Sequence, residues 1–264
     1  MLTAEQSNIL TLLCTCQDEN IALAETLAKS LNINVLELLE QEGFFELGIK
    51  NISDFEPKLL EGNFFKKTTH LKWTQYFPNL EYLCVTHNNL ISLEGLKNCS
   101  LLEELICHHT KLTNLHGLEN SFQLKRLVCN NCRLTSVEGL ENCQKISYLD
   151  VNNNQLNNLK GLENASQLVC FFAANNKLED LAHIQNCVSL EILDISLSKL
   201  KNLKGLENCI KLEDLACEDN QIIDLSPLYE LPSIKKIHIR NNPNLSEAEI
   251  ARFREHQPNC KIIC

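Results

Sequence analysis

Leu80, Leu102, Leu124, Ile146, Leu168, Leu190, Leu212 and Ile234 recur every 22 residues, without insertion or deletion. A period of that length confines a chain to architectures in which each unit stacks on the next. One unit alone is too small to bury its own apolar face. Taking each of these residues as the first of a repeat, apolar side chains return at the first, fourth, sixth, eleventh, fourteenth and seventeenth positions. The first repeat supplies Leu80, Leu83, Val85, Leu90, Leu93 and Leu96; the third supplies Leu124, Leu127, Cys129, Leu134, Val137 and Leu140. The early alternation is that of a strand with one buried face. The later spacing of three suits tight, 3-10-like turns on the opposite side.

Polar residues fall in register too. The ninth position holds Asn88, Asn154, Asn176, Asn220 and Asn242. An inward amide there can bond backbone groups that a turn leaves unpaired. Thr110, Cys132 and Ser198 replace it in three repeats; they are small enough to fit, but those rungs are expected to be weaker. Gly95, Gly117, Gly139, Gly161 and Gly205 occupy the sixteenth position, where the missing side chain relaxes a turn. Glu-Asn pairs follow at Glu119-Asn120, Glu141-Asn142, Glu163-Asn164 and Glu207-Asn208. They read as solvated turn residues of the convex surface.

Over residues 71 to 264 this pattern resembles the short, 22-residue class of leucine-rich repeats. That class includes a regulatory subunit of type 1 protein phosphatase and the bacterial internalins. The resemblance implies an α/β, right-handed solenoid with a curved parallel sheet inside and an irregular or 3-10 convex side. It also implies protein recognition by the sheet, and it brings no catalytic residues. The solenoid is expected over 71–245, preceded by a helical cap region over 1–70 and followed by a C-terminal cap over 246–264. In the first region, Thr3 and Gln6 form a capping-box pair ahead of Ile9, Leu10, Leu12 and Leu13. Asp18 is placed to cap a second helix bearing Ile21, Leu23, Leu27 and Leu31, and Asn34 to Gly43 reads as a third. A less regular stretch near 52–70 leads to a half-repeat with Leu71, Trp73 and Phe77. At the other end, Ser246 to Glu249 repeats the capping-box pattern ahead of Ile250 and Phe253, before a strand-like tail.

A net charge of −10, with Lys66-Lys67 and Lys235-Lys236 only as pairs, argues against nucleic-acid binding. No apolar stretch of about 18 residues suggests a membrane span, and the first residues lack the basic-then-apolar order of a secretory signal. The expected setting is therefore cytoplasmic, where the 14 cysteines stay reduced. Several replace small core residues: Cys107, Cys129 and Cys217 at the sixth position, Cys99, Cys143, Cys187 and Cys209 at the twentieth.

Strand alternation turns the third, fifth and seventh positions to the concave face, with the eighth at its rim. Ile106, Val128, Tyr148, Phe172 and Ile192 then make a nearly continuous apolar and aromatic strip, a feature typical of interaction sites. Asp150, Asp194, Asp214, Glu218 and Asp219 form an acidic group beside it. Together with Tyr82 and Arg126, these residues are the expected partner-binding set, the strip taking an apolar anchor and the acids a basic segment.

Other chemistry is weakly signalled. Cys129 and Cys132 form a CxxC sequence, but both positions face inward. His87, His108 and His109 crowd one rim. Successive residues of a strand diverge, so His108 and His109 are expected to point apart and hold no metal. Asp150 and Asp194 lie about 10 Å apart by strand spacing, on an open face ill-suited to raising a carboxylate pKa. The expectation is a monomeric, non-catalytic, protein-binding scaffold or adaptor without cofactor. The alternative is a regulatory subunit that binds and modulates an enzyme such as a phosphatase.

Overall fold

A computed structural model of the chain describes residues 3–6, 8, 18–33, 69–71, 74, 80–87 and 89–264. Nine parallel strands pair in sequence order. They are β1 (Tyr82–Cys84), β2 (Glu104–Ile106), β3 (Arg126–Val128), β4 (Tyr148–Asp150), β5 (Cys170–Phe172), β6 (Ile192–Asp194), β7 (Asp214–Ala216), β8 (Lys236–His238) and β9 (Lys261–Ile263). The register joins equal positions of successive repeats, as in Tyr82 with Glu104 and Glu104 with Arg126. Each strand is three residues long with its central residue buried, and β3 buries Val128 as well. The ladder nevertheless continues past it: the Val85 N–H reaches the Ile106 carbonyl at 2.7 Å and the His87 N–H reaches that of His108 at 3.1 Å.

The chain leaves the sheet at the eighth position. His87, His109, Asn131, Asn153, Asn175, Leu197, Asp219 and Asn241 all have φ between 53° and 56°. This left-handed conformation is best tolerated by Asn, Asp and His, which explains seven of the eight residues; Leu197 is the exception.

The next residue closes the coil. Asn176 accepts from the Leu156 N–H at 2.9 Å and donates to the carbonyls of Val151 (3.1 Å), Ala173 (2.9 Å) and Ala174 (3.3 Å). Asn154, Asn220 and Asn242 repeat the arrangement. Thr110 and Cys132 bond each other instead, at 3.1 Å. The Ser198 hydroxyl is buried without a partner, so its rung is missing.

The convex side is a chain of turns three residues long. Leu118, Ser121 and Leu124 donate in succession to Leu115, Leu118 and Ser121 at 3.2, 2.9 and 3.0 Å. Short 3-10 helices take this role at Glu94–Asn98 and Ser226–Leu228. Gly139 has φ of 108°, and a Cβ there would sit 2.6 Å from the Leu115 carbonyl oxygen of the preceding repeat. Glycine is thus required by both backbone conformation and close approach. His183 occupies this position in the fifth repeat with φ of 81°. The Glu-Asn pairs do more than solvate a turn. Glu119 accepts from the Gly117 N–H at 2.8 Å, and Asn120 donates to the Lys97 carbonyl of the repeat before at 3.1 Å. Recurring at Asn142, Asn164, Asn186 and Asn208, this makes a second asparagine ladder.

One apolar cluster runs through the repeats and includes Ala24 and Ala28 of helix α1 (Asp18–Ser30). Asp18 is the first helical residue of α1. Among its described side chains, Ala24 and Ala28 are buried with Leu27 beside them and Leu23 is exposed, as is Leu31 just past the helix. Thr3 and Gln6 make the reciprocal capping bonds at 2.9 and 3.2 Å. The expected third helix over 34–43, the stripe from Ile9 to Leu13, Ile21's side chain, Trp73, Phe77, Asn88 and most of 52–70 lie outside the described residues. At the far end, the Ser246 hydroxyl caps helix α2 (Glu247–His256) by accepting from the Glu249 N–H at 3.1 Å. The Glu249 carboxylate is buried and accepts from the Leu225 N–H (3.0 Å), the Tyr229 hydroxyl (2.7 Å) and Arg252 (3.0 Å). It thereby ties α2 to the seventh repeat before β9 extends the sheet.

Two substitutions at the ninth position should move stability in opposite directions. Asn176→Ala strands the Leu156 N–H and the Ala173 carbonyl, while the Val151 and Ala174 carbonyls keep the Asn154 amide and the Asn153 N–H, and should cost roughly 3 kcal/mol. Ser198→Asn supplies the missing rung and should add about 1 kcal/mol. Urea unfolding of the two variants beside the parent protein measures both.

Candidate binding face on the concave sheet

The third and fifth positions of β1 to β8 form two columns on the concave face. In the third-position column Arg126, Tyr148, Cys170 and Ile192 follow one another; in the fifth, Ile106, Val128, Asp150, Phe172 and Asp194 do. The aromatic centre is compact. The Tyr148 and Phe172 rings lie 5.5 Å apart at 48°. The Arg126 guanidinium sits 3.7 Å above the Tyr148 ring and bonds Glu104 at 3.0 Å, so Tyr148 is held between a cation and a second ring. The strip differs from the sequence expectation at one point. Val128 is only 7% exposed and belongs to the floor of the face, while Ile192, 39% exposed, stands out from it. Tyr82, Ile106, Tyr148 and Phe172 are half-buried.

The acids are integrated into the sheet rather than free. Asp150 accepts from the Asn130 amide at 2.6 Å and from the Asn152 N–H at 3.1 Å. Asp194 accepts from the Ser196 N–H at 3.0 Å, and Asp219 from the Asn241 amide at 2.8 Å. Asp214 pairs with Lys236 at 2.7 Å, and His238 lies 3.8 Å from Asp214 and 3.9 Å from Glu218. Asp150 and Asp194 flank Phe172 on either side in the fifth-position column, and the basic partners of Asp214 and Glu218 lie at the C-terminal end. The result is an aromatic centre bracketed by two carboxylates.

The rim histidines correct an expectation. His109 is not in a strand but in the left-handed conformation, with φ of 55°, which swings its ring back toward His108 instead of away. His87 stacks on His109 at 4.6 Å, and both meet the His108 ring edge-on at 5.0 and 5.2 Å. Burial, and then the neighbouring His87 and His109, push the His108 pKa below the ordinary histidine value.

Comparison with known proteins supports this architecture. A family profile described as leucine-rich repeats in two copies matches residues 123–164. Internalin C2 of Listeria monocytogenes shares the fold with a TM-score of 0.64 at 23% identity, over 72% of this chain and 83% of that one. A leucine-rich-repeat protein of Leptospira interrogans does so with a TM-score of 0.59 at 21% identity, over 75% of this chain and 58% of that one. The ectodomain of the plant membrane receptor kinase GASSHO1/SCHENGEN3 from Arabidopsis thaliana, solved in complex with CASPARIAN STRIP INTEGRITY FACTOR 2, gives 0.54 at 22% identity. That match spans 62% of this chain and 21% of the receptor. No curated protein matches by sequence. The chain has the fold of a leucine-rich-repeat solenoid, and repeat proteins of this shape commonly bind partners on their extended concave surfaces.

The cysteines have core chemistry. Burial pushes the Cys132 thiol up to about 11 and those of Cys143, Cys187 and Cys209 up to about 12; it also raises Cys129, which is hidden against Cys107. Such thiols stay protonated near neutral pH and are poor nucleophiles. Cys143 and Cys187 donate instead to the Leu118 and Leu162 carbonyls, at 3.6 and 4.0 Å. Native alkylation at pH 8, mapped by mass spectrometry, should therefore label the exposed Cys264 well before Cys129, Cys143, Cys187 and Cys209. Those four should react only after unfolding.

Proposed function

We propose that the protein is a non-catalytic scaffold or adaptor that holds a protein segment against its concave face. The observation that carries this reading is the Arg126-Tyr148-Phe172 cluster, two packed aromatic rings that remain partly open to solvent at the centre of the sheet. Partly exposed, rigidly positioned aromatic and arginine side chains are the residues that dominate binding energy in protein interfaces. Asp150 and Asp194 on either side favour a segment with basic residues flanking an apolar anchor. The carboxylates bond strand ends and neighbouring side chains, which suits recognition better than proton transfer. The free thiols throughout the described coil fit a reducing, cytoplasmic setting. Among the described residues, no helix is long and apolar enough to cross a membrane.

The immobilised parent protein and its Tyr148→Ala, Phe172→Ala, Asp194→Lys triple variant, each exposed to native lysate with reductant, provide the test. A partner retained by the parent should bind the variant at least on the order of 100-fold more weakly. Equal retention by both proteins would remove the concave face from the binding reaction. Adding a retained enzyme partner to a turnover assay distinguishes a scaffold, which leaves its rate unchanged, from a regulatory subunit.

A further inference from the structure

The geometry points to a divalent transition-metal site of the zinc type, held by His87, His108 and His109 at the rim of the first two repeats. One ring nitrogen of each histidine lies within 4.8 Å of the other two. Imidazole ligands of a tetrahedral ion, with metal–nitrogen bonds of about 2.0–2.1 Å, stand about 3.3 Å apart. The ring nitrogens therefore need to close by at most about 1.5 Å. His87 and His109 are exposed and free to make that adjustment. Three imidazoles leave the fourth coordination position open to water or to a group from a partner.

Two independent observations separate this cluster from chance. The first is an unsatisfied atom: Nδ1 of His108 is buried and has no hydrogen-bond partner. A buried ring nitrogen without a partner is costly, and a cation bonded at that atom would satisfy it. The second comes from the repeat. The eighth position needs a residue that accepts left-handed φ, and Asn131, Asn153, Asn175 and Asn241 meet that need. The seventh position is Asn130 and Asn152 in the third and fourth repeats. Backbone geometry thus admits histidine at the eighth position without singling it out, and it asks for none at the seventh. Only the first two repeats use it, and they bring three rings together. The backbone beneath is fixed, since the His87 and His109 N–H groups bond the carbonyls of His108 and Asn130 at 3.1 and 3.0 Å. Imidazole is a ligand suited to Zn²⁺, Cu²⁺ and Ni²⁺ rather than to hard cations such as Mg²⁺. This site does not depend on the aromatic cluster, which begins one repeat further along the sheet at Arg126 and centres on Tyr148 and Phe172.

The repeat also supplies substitutions that preserve the fold. His87→Asn, His108→Asn and His109→Asn install residues that other repeats carry at the same positions. Tag-free, full-length protein is dialysed against Zn²⁺ with a phosphine reductant, and bound metal is counted; Co²⁺ then reports the ligand type in its visible spectrum. The parent should bind one ion per chain, with a nitrogen-dominated Co²⁺ spectrum lacking thiolate charge transfer. Each single Asn variant should bind at least roughly 10–100-fold more weakly while keeping its circular dichroism. The triple variant should lose the site. The inference is overturned if the parent binds no Zn²⁺, if the triple variant binds it equally well, or if the Co²⁺ spectrum shows thiolate ligation.

Discussion

An amide side chain at the ninth position of a repeat bonds one N–H and several carbonyls belonging to two neighbouring coils. The chain must turn sharply out of a three-residue strand, and this leaves backbone groups that neither the sheet nor water can reach. Asparagine satisfies them because its amide carries both an acceptor and two donors on a short stem. Once those groups are bonded, the first, fourth, sixth, eleventh, fourteenth and seventeenth positions can fill the interior with apolar side chains and nothing else. The convex Glu-Asn pair repeats the same solution on the other side, joining one turn internally and the next turn by its carbonyl. The two ladders hold the coil from front and back.

This division of labour frees the outward residues. With the backbone satisfied from within, the third, fifth and seventh positions carry little of the fold, and the eighth is held only to residues that accept a left-handed φ. Arg126, Tyr148 and Phe172 on the concave face and the three histidines on its rim both occupy such positions. Column-wise neighbours on a parallel sheet stand about 4.8 Å apart. That spacing favours stacked rings and paired charges, and it accounts for Glu104 with Arg126 and Asp214 with Lys236.

The periodicity of Leu80 to Ile234 made the sheet, its register and the buried columns legible before any coordinates, as did Asn154, Asn176, Asn220 and Asn242 for the inner ladder. The outer ladder was less so. Glu and Asn are ordinary turn residues, and their bonds to Gly117 or Lys97 depend on how closely adjacent coils approach. The histidines were misread for a definable reason: alternation was extended one residue too far, through His109. The asparagines in that column already signalled a left-handed residue, which ends alternation. Val128 was placed on the outward face correctly, but its burial depends on the bulk of its neighbours, which a pattern of positions does not carry. At α1 the buried described residues are the small Ala24 and Ala28, while the larger Leu23 and Leu31 that the sequence offered are exposed.

The fifth and sixth repeats contain departures at two successive junctions. His183 stands where glycine lets the fifth coil touch the fourth, and its pair with Glu163 at 2.9 Å spans that junction. Ser198 stands where an amide would bridge the sixth coil to the fifth, and its hydroxyl has no partner. In a solenoid each coil adheres only to its neighbours, so cohesion is a local quantity. The junction of the fifth and sixth coils is held by strand pairing and apolar packing without that bridge, like one weakly bonded layer in a layered crystal. A pull or twist applied to the two ends would part the stack there first, leaving the histidine rim and most of the aromatic face on one fragment and the C-terminal cap on the other.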